Sequence, residues 1–234
     1  MQVGYSVQEQ VYLTLRTQIL NLNLAPGTTM STQELAGQLK VSRTPVREAL
    51  IRLQRDGLVL SLPQRETTVT RIDMRRAAQE RFMRKSLETA VLEPFLAQTG
   101  FDQLKELNEL IQKQLAAASE ENYEALLEYD DAFHRIFFVQ AGEPLAWDIL
   151  EQMNTHYKRV RLLSLRTAGT AQQTVMQHVE LLRALENGQL AEAQAVLSAH
   201  LQKLDEEETE LRQSYPDYFV SKVAEENTLF SLGR

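Results

Sequence analysis

The chain has 234 residues, no cysteine, a formal net charge of −7, and 43% hydrophobic and 24% charged residues. That length allows one large domain or two small ones. The composition excludes a disulfide framework, a thiolate metal site and a cysteine nucleophile. No stretch approaches the roughly 18 apolar residues of a spanning helix, and Met1 to Gln10 lack the basic-then-apolar order of a signal peptide. A cytoplasmic protein with no membrane partner is expected.

The charge is unevenly divided. Residues 1–72 hold 8 Lys and Arg against 5 acids, a net +3, whereas the remaining 162 hold 17 against 27, a net −10. All four His fall in the second part, at 134, 156, 178 and 200, and their equal spacing of 22 carries no matching flanks. A basic module on an acidic partner domain is the asymmetry of a nucleic-acid-binding head.

In chain order, Val7, Val11, Leu15 and Ile19 recur every four residues and predict a helix over 7–20. Pro26-Gly27 turns the chain. Ser31-Thr32-Gln33-Glu34 has the form of a capping box and opens a short helix that buries Leu35, Ala36 and Leu39. Lys40-Val41-Ser42 interrupts it. A second helix is expected over 43–56, capped by Ser42, with Pro45 tolerated in its first turn and Gly57 closing it. Its apolar stripe is Val46, Ala49, Leu50 and Leu53. Leu58–Leu62 and Thr67–Thr70 flank Pro63-Gln64-Arg65-Glu66 and read as a hairpin. This is the order of a winged helix-turn-helix.

From Asp73 onward only helical patterns stand out, over about 74–98, 102–118, 122–140, 144–166, 172–187 and 189–214. Pro94 is expected to kink or split the first. Six antiparallel helices with short connections make a bundle. The predicted fold is mainly α: an N-terminal winged helix-turn-helix followed by an all-α antiparallel helical bundle. The domains are 1–72, 73–215 and a tail, 216–234, that packs as an appendage or on a second subunit.

A helix-turn-helix sets the start of its second helix against base edges in the major groove. Arg43 and Arg47 are four apart and share a face opposite Val46, Ala49, Leu50 and Leu53. Arg donates in pairs to guanine O6 and N7, or grips phosphate. Ser42 and Thr44 add short donors near a helix N-terminus, where phosphate binds well. Arg65, at the hairpin tip, reaches the minor groove or the backbone. Two Arg on a helix alone describe a solvated face; with the turn, the capped helix and the hairpin they describe a DNA reader.

The residues Leu24-Ala25-Pro26-Gly27, Glu34-Leu35-Ala36, Val41-Ser42-Arg43-Thr44-Pro45-Val46-Arg47-Glu48-Ala49-Leu50, Leu53 and Asp56-Gly57-Leu58-Val59 resemble the winged-helix domain of the GntR family of bacterial transcription regulators. The helical part resembles the ligand-binding domain of its FadR subfamily. The resemblance implies that Ser42, Arg43, Thr44 and Arg47 contact double-stranded operator DNA. Gln33 stands where several relatives carry a DNA-contacting Arg. Glu66 stands where the wing tip usually has Gly, and it repels phosphate unless Arg65 compensates.

Asp130 and His134 lie at i and i+4, so both side chains can reach one ion from one helix face. His178 and His200 come from two later helices. One Asp and three His suit Zn²⁺, Ni²⁺, Co²⁺ or Mn²⁺ with positions left open for water or a ligand carboxylate. A lone Asp-x-x-x-His equally describes a surface ion pair, and any single His a hydrogen-bonded core residue. The resemblance implies the first reading: FadR-type domains carry Asp-x-x-Phe-His and two later His as a metal site, and Asp130, His134, His178 and His200 match it. Asp131 is then a solvated neighbour or an acceptor for a ligand His.

His156-Tyr157-Lys158-Arg159-Val160-Arg161 reads as a solvated face, with Arg161 a candidate to point into an effector cavity. Arg84 is the other candidate. It sits in Arg84-Lys85-Ser86-Leu87-Glu88, which resembles the R-x-x-L-E of the family's first bundle helix, although an ion pair with Glu88 explains it as well. A buried Arg opposite a metal clamps an organic acid through paired hydrogen bonds.

The expected function is a repressor that binds operator DNA as a homodimer and responds to a small organic or sugar acid at the metal site. A metal-dependent hydrolase has the ligands but leaves residues 1–72 unexplained. A constitutive DNA binder with a structural metal is the third reading.

Overall fold

The computed structural model describes residues 5–61, 66–202 and 204–221. The chain divides into two compact units, one of Met1–Arg75 with Arg212–Arg234, the other of Arg76–Leu211.

The first unit opens with α1 (Val7–Leu20), where Ser6 Oγ accepts from the Glu9 N–H at 3.2 Å. Its buried face is Val11, Tyr12, Leu15, Ile19 and Leu20; Val7, at the first helical position, stays exposed. β1 (Thr29–Met30) leads to α2 (Thr32–Leu39), which starts on the expected capping box. Ser31 Oγ accepts from Glu34 N at 3.1 Å, and Glu34 Oε2 accepts from Ser31 N at 3.0 Å. Lys40 ends α2 in the left-handed conformation at φ 54°. α3 (Arg43–Arg55) follows, and Gly57 turns out of it at φ 74°.

β2 (Val59–Ser61) and β3 (Thr67–Val69) form the expected antiparallel ladder, with Val59 opposite Val69. β1 adds to the other edge of β3, pairing Thr29 with Thr68, so the strand order is β1-β3-β2. The core beneath joins α1 to α3 and the sheet through Leu15, Ile19, Val46, Ala49, Leu53, Leu58 and Val59. Truncating a fully buried Leu such as Leu53 costs about 2–5 kcal/mol.

The tail closes on this unit. After a 3₁₀ turn at Pro216–Tyr218, Phe219 pairs in parallel with Ile72. Ile72 N donates to Tyr218 O at 2.8 Å, Val220 N to Ile72 O at 2.9 Å, and Arg71 Nε to Asp217 O at 2.9 Å. Phe219 is buried.

The second unit is helical among its described residues. α4 (Met74–Gln98) enters it, followed by α5 (Phe101–Ser119), α6 (Tyr123–Gln140), α7 (Pro144–Met153), α8 (His156–Leu165), α9 (Thr170–Glu186), α10 (Leu190–Gln202) and α11 (Leu204–Ser214). α5 packs on α6 and α9, α9 on α10, and α6 on α7 and α8. Pro94 does not split α4. Leu92 and Phe95, both fully buried, hold the helix through the missing hydrogen bond, and Phe95 meets Phe137 edge-on at 5.0 Å.

The span expected over 144–166 divides at Asn154-Thr155 into α7 and α8. A tertiary contact drives this break: Glu80 Oε2 accepts from His156 N at 2.9 Å and Tyr157 N at 2.8 Å, capping α8 from α4. α8 then runs through the interior, with Tyr157, Arg159 and Val160–Leu165 buried. The expected solvated face at 156–161 is therefore wrong. Lys158 and Arg161 pair with Asp131 and Asp130 inside the unit rather than facing water.

Candidate functional site

In the first unit, α3 presents Arg43, Thr44 and Arg47 to solvent while Val46, Ala49, Leu50 and Leu53 face the core. Ser42 takes the N-cap position with extended dihedrals but makes no side-chain cap bond. Gln33, exposed in the first turn of α2, accepts through Oε1 from Arg43 Nη2 at 3.0 Å. These residues form one exposed polar surface at the α2–α3 turn. Arg65 lies outside the described residues. Glu66, next to them, is exposed.

In the second unit, α6, α9 and α10 bring Asp130, His134, His178 and His200 together, with one donor atom of each within 4.8 Å of the others. His134 Nε2 lies 3.2 Å from His178 Nε2, and His178 Nε2 lies 3.4 Å from His200 Nε2. Asp130 faces them, with Oδ2 3.7 Å from His134 Nε2 and Oδ1 3.5 Å from His178 Nε2. Phe133 stacks on the His178 ring at 4.5 Å. Burial pushes His178 down to about 3 and takes His200 well below the usual imidazole range. Both rings are therefore neutral, as a ligating imidazole must be.

Each outer nitrogen also faces an oxygen, hydrogen-bonded for His178 and His200 and in ion-pair contact for His134. His134 Nδ1 lies 2.7 Å from Glu88 Oε2, His178 Nδ1 2.6 Å from Gln114 Oε1, and His200 Nδ1 3.0 Å from Gln177 Oε1. Nothing in the local sequence marks Gln114, because its role arises only when α5 packs on α9. Glu88 was visible only as a partner for Arg84.

Arg84 and Arg161 both meet this cluster. Arg161 donates to Asp131 Oδ1 at 2.7 Å and to Asp130 Oδ2. Arg84 Nε donates to Glu88 Oε1, and Nη2 lies 3.5 Å from Asp130 Oδ2. Its Nη1, 3.5 Å from Asp131 Oδ1, makes no hydrogen bond. Asp131 is neither solvated nor an acceptor for a ligand His. Lys158 Nζ reaches it at 2.6 Å, and against the cost of burial Arg161 and Lys158 hold its carboxyl well below the usual carboxylate range. A cavity of about 40 Å³ adjoins the cluster, lined by Asp130, Tyr157, Arg161, Ser164, Thr174 and His200 among others. His156 is apart from the ligand set, near Arg159, and burial pushes it down to about 3.

A winged head with an exposed recognition helix, joined to a helical unit with a buried polar centre, defines a transcriptional regulator. Residues 7–69 match the bacterial regulatory proteins of the gntR family, and residues 81–203 match the FCD (FadR-like C-terminal) domain. The chain belongs to the GntR family of transcriptional regulators, in the branch that carries this domain. It is 31% identical to the HTH-type transcriptional repressor RspR of Escherichia coli over 213 residues, covering 91% of this chain and 93% of the relative. It is also 31% identical to an HTH-type regulator from an unstable DNA locus of Streptomyces ambofaciens, over 94% of this chain and 93% of that protein. The structure of E. coli McbR/YncC superposes with a TM-score of 0.75 at 24% identity, covering 91% of this chain and all of that one. These families and relatives are regulators, not enzymes. No helix among the described residues is long and apolar enough to cross a membrane.

Proposed function

We propose that this regulator is a repressor that binds a pseudo-palindromic operator as a homodimer and releases it when a small organic or sugar acid enters the helical unit. Arg43 and Arg47 read base edges, while Ser42, Thr44, Gln33 and Arg65 position the head on the backbone. The repressor reading draws on the name of the relative RspR.

The effector site is centred on a divalent transition ion held by Asp130, His134, His178 and His200. The observation that carries this is the convergence of three imidazole Nε2 atoms, those of His134 and His178 fully buried, on one carboxylate. Three nitrogens and one oxygen fit Zn²⁺, Ni²⁺, Co²⁺ or Mn²⁺ better than Ca²⁺ or Mg²⁺, which prefer all-oxygen sets. The ion would supply a positive charge for the effector's carboxylate. Arg84, Lys158 and Arg161 are already matched by Glu88, Asp130 and Asp131. A divalent ion adds positive charge that an acid offsets.

Arg84 and Arg161 would orient that acid, Arg84 through its unbonded Nη1. A cavity of about 40 Å³ holds only a few waters, so an acid of several carbons enters when the lining parts. Its preference for that opened arrangement is the free energy available to change operator affinity.

The test combines metal analysis, a thermal-shift screen of organic acids on the full chain, and operator binding by fluorescence anisotropy. Asp130→Ala is expected to bind operator normally and lose the response to acid. An unchanged response in this variant overturns the sensing role and leaves a constitutive binder with a structural metal.

A further inference from the structure

The outer face of the histidine cluster carries more information than its ligands. A neutral imidazole holds one proton, and its position decides which nitrogen offers a lone pair. For a ring to bind through Nε2, the proton must sit on Nδ1, and an acceptor beside Nδ1 keeps it there.

Each of the three rings has such an acceptor, and each comes from a residue outside the ligand set. Gln114 is the best defined. Its Nε2 donates to the Tyr129 carbonyl at 3.2 Å, which fixes the amide so that Oε1 faces His178 Nδ1 at 2.6 Å. Assigning amide oxygen and nitrogen needs a partner of this kind. Glu88 is bonded on its other oxygen by Arg84, and its Oε2 stands 2.7 Å from His134 Nδ1 as a close ion-pair contact whose angle falls outside hydrogen-bond geometry. Gln177 Oε1 lies 3.0 Å from His200 Nδ1. Glu88 and Gln114 are fully buried, so no water competes for either contact.

We propose that Glu88, Gln114 and Gln177 are positioning residues that hold His134, His178 and His200 as Nδ1–H tautomers, and that Glu88, shared by His134 and Arg84, ties the state of the cluster to that arginine. The three Nε2 lone pairs then point inward before any ion arrives. Three facing lone pairs with no proton between them repel, and a cation relieves this. A charge drawn onto His134 is felt by Glu88 Oε2, and through the same carboxylate by the Arg84 Nε–H on Oε1. Arg84 thus reports metal occupancy without touching the metal. The inference rests on the metal reading above only in its second half.

The experiment uses the full chain, ¹⁵N-labelled at His and Arg, first stripped with chelator and then titrated with Zn²⁺. Long-range ¹H–¹⁵N spectra of the stripped protein are expected to show Nδ1–H tautomers for all three rings. An Nε2–H pattern for His178 or His134 overturns the proposal whether or not Zn²⁺ binds. Conversely, correct tautomers with no Zn²⁺ uptake overturn the metal reading alone. Gln114→Leu, which keeps the shape and removes the acceptor, is expected to weaken Zn²⁺ binding by about 10–100-fold, and Gln114→Glu to restore it. Wild-type affinity in Gln114→Leu counts against a positioning role. Zn²⁺ should move the Arg84 Nε resonance in the wild type, and much less in Glu88→Gln. An unmoved Arg84 resonance alongside shifted imidazoles overturns the shared-carboxylate link.

Discussion

Arg43 does not stand alone on the recognition helix. Gln33 accepts one of its Nη2 protons at 3.0 Å. The contact holds the guanidinium over the turn and leaves its other donors available. Arg43→Ala and Arg47→Ala are each expected to lose about 1–3 kcal/mol of specific operator affinity, measured by anisotropy across a salt series. No loss for either would remove them from the reading surface. His156 supports a different prediction. Burial first, then the neighbouring Arg159 and Arg76, hold it down to about 3, against an ordinary 6.5. Between those pH values the unfolded chain takes a proton that the folded chain refuses, so stability falls with pH across that window. Urea midpoints should therefore drop more steeply from pH 6.5 to 3 in the wild type than in His156→Gln. Parallel curves would mean that His156 titrates normally.

At the scale of elements, α8 owes its start to another helix. Thr155 makes no side-chain cap bond, and Glu80 from α4 accepts two of the N–H groups that a helix start leaves unpaired. Glu80→Ala orphans both and is expected to cost the helical unit about 1–3 kcal/mol per donor. The single tryptophan, Trp147, packs on Phe138 in the same unit and gives the fluorescence signal for the melt.

This cap also explains what the sequence conceals. Local signals were enough for α1, for the Ser31–Glu34 box and for α3, because periodicity and capping act within one or two turns. β1 has only two residues and exists because β3 offers it an edge. The break before α8 has neither Gly nor Pro to announce it, since its cause lies some 76 residues away in Glu80. The same division runs through the histidine cluster. Asp130 and His134 are legible as neighbours on one helix, whereas Gln114 lies 64 residues from His178 and becomes its partner only through packing.

At the scale of the molecule, the net charge of −7 conceals a division of labour between a mildly basic head and an acidic body. The tail complicates that division, because Phe219 is buried beside Ile72. Phe219→Ala is expected to destabilise the first unit by about 3 kcal/mol. Amide exchange in α1 and α3 would report the loss, operator affinity would fall, and Zn²⁺ binding would stay as in the wild type. A variant with unchanged exchange in both helices would show that the tail only rests on the surface.

The same tail sets an order in time. Arg71 and its partner Asp217 are 146 residues apart. At about 5–20 residues per second, a ribosome adds that stretch in roughly 7–30 s. The head emerges first, yet it waits through the synthesis of the whole histidine cluster before its last backbone contacts can form. A nascent chain stalled partway would carry a head that is made but not finished, so the DNA-binding part matures only once the helical unit has been built.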